Sequence, residues 1–243
     1  MTYPVLHTQP LGPQWPTLDP FLFCAHHDDA YPAGNDALGP AAGLHARHIG
    51  NDFSRKDGWS MYHGDTVPGF PGHPHRGFET VTLVRRGLID HADSLGAMAR
   101  FGGGDVQWIT AGRGLQHSEM FPLLNASAPN PLELFQIWLN SSPEQKKQPA
   151  DYKMLWREQI PHVFSADAAG RKADIRVISG QFKQTQALDR PPHSWAAIPE
   201  NQLNIYLITL KPEAELTIPA STATATRFCY FYQGNSLELE GQK

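Results

Sequence analysis

PGHPHRGFETVTLV (Pro71 to Val84) sets two histidines one residue apart directly ahead of a run of β-branched and aromatic residues. The run Phe78 to Val84 has the composition of a strand. Residues two apart on an extended segment project from the same side, so His73 and His75 can approach one ion together. The same geometry recurs at His117-Ser118-Glu119, where an imidazole and a carboxylate share a face. Pro71-Gly72 and Gly112-Arg113-Gly114 supply the tight turns and positive φ angles that bring short strands to the mouth of a barrel. A single His-x-His among 12 histidines carries little weight, but two such pairs on neighbouring strands would make a four-point cage.

Outward from this stretch, further β-prone runs recur between turn signals. They are Asp105 to Thr110, Leu132 to Leu139, Asp174 to Ile178, Leu203 to Leu210 and Arg227 to Tyr232. Gly and Pro, 21 of each, are scattered rather than clustered, which predicts many short elements joined by turns and an all-β barrel or sandwich. The polar stretch Ser142 to Pro161 predicts a linker with a single helical turn. The boundary is therefore placed between a first domain, 1–140, and a second, 141–243. The N-terminal fifty residues read as loops with one short strand, Phe21 to Cys24.

With 243 residues, about 40% of them apolar, the chain can bury one large core or two moderate ones. A net charge of -4 offers no basic field for nucleic acid. Cys24 and Cys229 have no neighbour at a metal-ligand spacing, which fits a reducing compartment. No apolar run approaches the roughly 20 residues that span a bilayer, and no leader pattern opens the chain. A soluble, cytoplasmic protein is expected.

Other clusters have plainer readings. His26-His27-Asp28-Asp29 is read as a solvated loop, because adjacent residues on a strand would point to opposite faces. His45 and His48 are read as loop residues. Trp108, Phe78 and Trp138 are read as core, and Arg76 and Arg113 as stabilisers of turns. His162 and His193 stand alone, so no second metal site is expected.

The segments PGHPHRGFETVTLV, HADSLG (His91 to Gly96) and GDVQWITAGRGLQHSEM (Gly104 to Met120) closely resemble the pirin family of bicupin proteins. DPFLF (Asp19 to Phe23) and LFQIWLN (Leu134 to Asn140) extend the resemblance more loosely. It implies two stacked cupin barrels of the double-stranded β-helix, or jelly-roll, type. One metal is expected in the first barrel, held by His73, His75, His117 and Glu119. Iron is the usual family metal, and Cu, Mn, Ni or Zn would also suit three imidazoles and a carboxylate. Many other cupins instead supply a Glu four residues after the second His, the position of Glu79. The pirin pattern favours Glu119 and leaves Glu79 as an outer partner that orients an imidazole. Pirin-like chains normally continue beyond RFCYFYQGNSLELEGQK, so the second barrel is expected to be incomplete, with exposed strand edges prone to association.

Two functions follow from the resemblance. One is a dioxygenase of the quercetin 2,3-dioxygenase type, acting on a small phenolic substrate with O2, with Glu119 as general base. The other is a redox-sensing co-regulator whose iron state alters a surface that meets a protein partner. Both need the same ligands, and the first is preferred.

Overall fold

The computed structural model describes residues 7–222 and 225–241. Ten strands build the first part: β1 (Gln14–Trp15), β2 (Phe21–Tyr31), β3 (Gly69–His75), β4 (Phe78–Arg86), β5 (Leu88–Asp93), β6 (Met98–Gly102), β7 (Val106–Thr110), β8 (Leu115–Met120), β9 (Asn130–Asn140) and β10 (Asp151–Leu155). Five follow: β11 (His162–Ala166), β12 (Lys172–Ser179), β13 (Gln181–Phe182), β14 (Thr185–Gln186) and β15 (Ile205–Leu210). The protein is all-β and of the cupin type. No helix among the described residues is long and apolar enough to cross a membrane.

A six-stranded sheet in the order β1-β2-β9-β4-β7-β10 faces a four-stranded sheet, β3-β8-β5-β6. The larger sheet is covered on both sides. Val84, Leu132 and Leu134 pack toward the smaller sheet with Tyr31, Ile89 and Phe101. Val81, Leu83, Trp108, Phe135 and Leu139 pack the other way, against Ile160, Ile178, Ala196 and Leu203 from the later part of the chain. A strand buried on both faces needs apolar residues at successive positions, which is why LELFQIWL shows no clean alternation. The second part contributes the sheet β11-β12-β15 and the hairpin β13-β14 around Ile175, Val177 and Phe182. No strand follows β15 among the described residues.

Several expectations are corrected. The strand expected at Phe21 to Cys24 runs on to Tyr31, because β2 pairs with β9 from Phe21↔Leu139 to Tyr31↔Asn130. His26-His27-Asp28-Asp29 is therefore strand, not loop. His26 lies beside Glu133, 3.3 Å away, while Asp29 is buried and accepts hydrogen bonds from Tyr62 Oη at 2.8 Å and Ser60 N at 3.0 Å. Arg227 to Tyr232 is not a strand. Its aromatic side chains pack over the N-terminal segment instead, with Tyr230 4.8 Å from the Trp15 ring and its hydroxyl donating to Pro16 O at 2.6 Å. The polar stretch after Ser142 holds the expected turn, a short 3-10 element at Gln145–Lys147, and then β10, which pairs with β7. The first sheet thus draws a strand from beyond residue 140.

The long connection from β2 to β3 is fixed by a buried ion pair. Arg47 Nη1 lies 2.9 Å from Asp52 Oδ2, and the guanidinium sits 3.4 Å over the Trp59 ring. Asp52 also accepts from Met61 N at 2.9 Å. Met61 and Tyr62 are thereby carried into the core, where Tyr62 stacks on Phe70.

Candidate metal centre

The sites of His73 and His117 are set by an irregularity in β3. Its pairing with β8 runs Phe70↔Glu119 and then His73↔His117, three residues on β3 against two on β8. Pro71-Gly72, read as a tight turn in the sequence, belongs to this bulge. An extra residue reverses strand parity, so Phe70 and His73, an odd number apart, both face the barrel interior. Just before the bulge the two backbones nearly touch. A Cβ on Gly69, where φ is +129°, would lie 2.4 Å from Glu119 O, so only glycine fits.

The result is a convergent imidazole group. One ring nitrogen from each of His73, His75 and His117 lies within 4.8 Å of the others. With metal–nitrogen bonds of about 2.0–2.1 Å, donors around one ion stand roughly 3–4 Å apart, so small side-chain rotations suffice. Nε2 of His75 and of His117 is buried with no hydrogen-bond partner. An orphaned buried nitrogen is costly unless something else satisfies it, and a cation would. His73 Nδ1 lies 2.8 Å from Pro71 O. A carbonyl can only accept, so this nitrogen carries the proton and Nε2 is left with a free lone pair. Burial, followed by the neighbouring His73, lowers the His75 pKa to about 4. Burial, then His73, His75 and His91, lowers that of His117 to about 2. At neutral pH both rings are uncharged, the state a metal requires.

Glu119 lies beside this group, with Oε2 3.9 Å from His117 Nε2. Gln136 Nε2 donates to the same oxygen at 2.8 Å, and Thr82 Oγ1 approaches Oε1 at 3.4 Å. Burial raises the Glu119 pKa, while the Gln136 hydrogen bond and nearby histidines pull it back. Gln136 is itself braced by Trp138 Nε1, which donates to its Oε1 at 3.1 Å.

Glu79 is elsewhere. Gly77, at φ +77°, separates β3 from β4, and the two strands lie in different sheets. The four-residue spacing from His75 therefore does not place Glu79 on the histidines' side. Its carboxylate is fully buried on the far face of β4, accepting from Trp108 Nε1 at 2.7 Å, Ser194 Oγ at 2.6 Å and Trp195 N at 2.6 Å. Trp108 is core, as expected from its strand position, whereas Phe78 and Trp138 also flank the site, 4.9 and 5.6 Å from the His75 ring. Phe70 stands 6.4 Å from His73.

Sequence reasoning missed His91 and Asp93. They form a third pair two residues apart, and β5 pairs with β8 as His91↔Glu119 and Asp93↔His117. Their side chains are fully buried and 2.9 Å apart, and His91 Nδ1 lies 3.4 Å from His117 Nδ1. The spacing was visible in HADSLG; the strand pairing that sets it behind His117 was not. His162 pairs with Asp174 at 2.9 Å, far along the chain from this group.

The profile of the pirin family matches residues 5–139. A Pseudomonas aeruginosa protein named provisionally as a quercetin 2,3-dioxygenase is 38% identical over 146 residues, covering 60% of this chain and 47% of that protein. The tomato (Solanum lycopersicum) pirin-like protein is 36% identical over 167 residues, covering 68% of this chain and 50% of its own length. A crystal structure of quercetin 2,3-dioxygenase from Acinetobacter baumannii aligns with a TM-score of 0.51 at 27% identity, over 70% of this chain and 48% of that one. The chain thus spans about half the length of the curated relatives it matches. Because the profile covers more than half of its residues, on strands that carry the three converging histidines, the chain belongs to the pirin family.

Proposed function

We propose that this chain is a metal-dependent dioxygenase of the quercetin 2,3-dioxygenase type, cleaving flavonol-like phenolic substrates with O2. In this reading His73, His75, His117 and Glu119 hold one divalent transition metal, iron being the first candidate, with Cu, Mn, Ni and Zn also suited to these donors. The observation that carries the reading is the set of three converging imidazoles with two buried, unpartnered Nε2 atoms.

A metal held there would supply Lewis acidity toward a phenolic hydroxyl. The remaining work falls to the chain. Glu119, whose proton affinity burial raises, is suited to take the hydroxyl proton, and Gln136 fixes the carboxylate for it. Phe78, Trp138 and Phe70 stand around the histidines and offer aromatic faces to a planar phenol. His73, His75 and His117 serve as ligands without proton-transfer duty.

Metal analysis combined with oxygen consumption against quercetin and a panel of phenols tests the proposal. Iron- or copper-loaded protein is expected to consume oxygen with at least one phenol, and His117→Ala to lose both metal and turnover. Fully loaded protein that consumes no oxygen would overturn the enzymatic reading. Stoichiometric metal in the His117→Ala protein would overturn the ligand assignment.

A further inference from the structure

We infer that Asp93 and His91 form a tautomer relay that forces His117 to present an unprotonated Nε2 to the metal; this rests on the ligand assignment proposed above. Each link follows from what the adjoining atom can do. Asp93 Oδ2, 2.9 Å from His91 Nε2, accepts, so His91 carries its proton on Nε2. With its single ring proton on Nε2, His91 has a bare Nδ1, which can only accept. The atom it faces, at 3.4 Å, is His117 Nδ1, which must carry the proton. Nε2 of His117 is left as a lone pair, and that atom is one of the two buried imidazole nitrogens without a partner among the converging histidines. The chain of hydrogen bonds runs carboxylate, imidazole, imidazole, ligand position.

The surroundings hold the relay in this sense. Asp93 Oδ1 is occupied by two backbone donors, Leu95 N at 2.8 Å and Ala97 N at 3.1 Å, so the carboxylate cannot turn. Tyr152, from β10, stacks on the His91 ring at 5.1 Å and 21°, fixing its plane. Asp93 and His91 touch neither substrate nor metal in this arrangement. They are positioning residues, acting through His117 in the way outer partners orient ligating histidines in metal sites generally.

The pinned Oδ1 makes Asp93→Asn a directed test. The asparagine carbonyl stays with the two backbone donors, and its amide nitrogen takes the place of Oδ2. A donor there requires His91 Nε2 to accept, moves the His91 proton to Nδ1, and leaves His117 protonated on Nε2. Nitrogen NMR of histidine-labelled, metal-free protein, with His117 assigned through His117→Ala, reads the tautomers directly. The parent is expected to show His117 protonated at Nδ1 and His91 at Nε2, and Asp93→Asn to show both reversed. Zn(II) affinity by chelator competition is expected to fall about 10- to 100-fold in the variant, with the melting temperature of the metal-free protein near that of the parent. A parent protonated at His117 Nε2, or an Asp93→Asn protein with parental tautomers and Zn(II) affinity, would overturn the relay. A parent with the expected tautomers that retains no metal would support the relay and overturn the ligand assignment instead.

Discussion

Replacing Glu79 by Gln separates the two roles this carboxylate could have had. As an ion ligand it would be needed for metal; on the far face of β4 it is needed for the junction between the first sheet and the Ser194–Trp195 segment. Three close donors and one longer one, Thr110 Oγ1 at 3.4 Å, converge on its two oxygens. An ionised carboxylate accepts all of them, whereas glutamine has one accepting oxygen. Its better orientation keeps that oxygen on Trp108 and Ser194 and turns the amide nitrogen toward Trp195 N, a donor facing a donor. One hydrogen bond to a charged group is lost, about 1.5–3 kcal/mol, and a partly buried N–H is orphaned, so the total is about 2–5 kcal/mol. For a chain of this size each kcal/mol lowers the melting temperature by about 2–4 °C. Calorimetry on metal-free Glu79→Gln should therefore show a clear loss, while metal content after loading stays at the parental level. A variant that melts like the parent but holds no metal would refute the reasoning and return Glu79 to the ligand set.

Two further perturbations address the other face of the same sheet, at Gln136 on β9 and Asp29 on β2. Gln136→Leu removes the donor that fixes Glu119 Oε2 and the acceptor of Trp138 Nε1; metal affinity, measured by chelator competition, should weaken by about 10-fold, and an unchanged affinity would show that Glu119 needs no such support. Asp29 carries the pH dependence. Its burial, outweighing the hydrogen bonds from Tyr62 and Ser60, raises its pKa from 3.8 to about 6. A carboxyl raised on folding adds stability that is fully present below its unfolded value and is lost as pH rises through the folded one. Asp29 should therefore contribute about 3 kcal/mol less at pH 7 than at pH 3. Asp29→Asn, which cannot ionise, should remove that part of the difference between pH 4 and pH 7 in urea midpoints; an identical pH dependence in the two proteins would contradict it.

The pairs His73/His75 and His117/Glu119 were legible because a strand repeats every two residues, and that period is local. What the sequence could not display was which strands lie side by side. The spacing from His75 to Glu79 counts residues along the chain, but Gly77 starts a new strand in another sheet, and the count loses its geometric meaning there. His91 and Asp93 carry the same two-residue period as the other pairs, yet their role exists only through the β5–β8 register. Arg227 to Tyr232 has strand composition but pairs with no strand among the described residues, and its rings cover Trp15. The polar appearance of Asp151 to Leu155 concealed an edge strand, where one side of the ladder needs no partner and charged residues are tolerated.

The larger sheet is the physical link between the candidate metal centre and the second part of the chain. On β4, Glu79 is anchored from the second part through Ser194 and Trp195, and three residues on Thr82 approaches Glu119 from the opposite face. The two positions lie three residues apart on one strand, Glu79 facing the second part and Thr82 facing the candidate centre. The second part covers the far side of the sheet whose near face sets Thr82 and Gln136 beside Glu119. The β10 strand acts from the sheet's edge in the same sense, since Tyr152 braces His91 behind His117. The histidines could be found from residues 71–119, but the contacts that hold Glu119 and back His117 also come from residues 136 and 152.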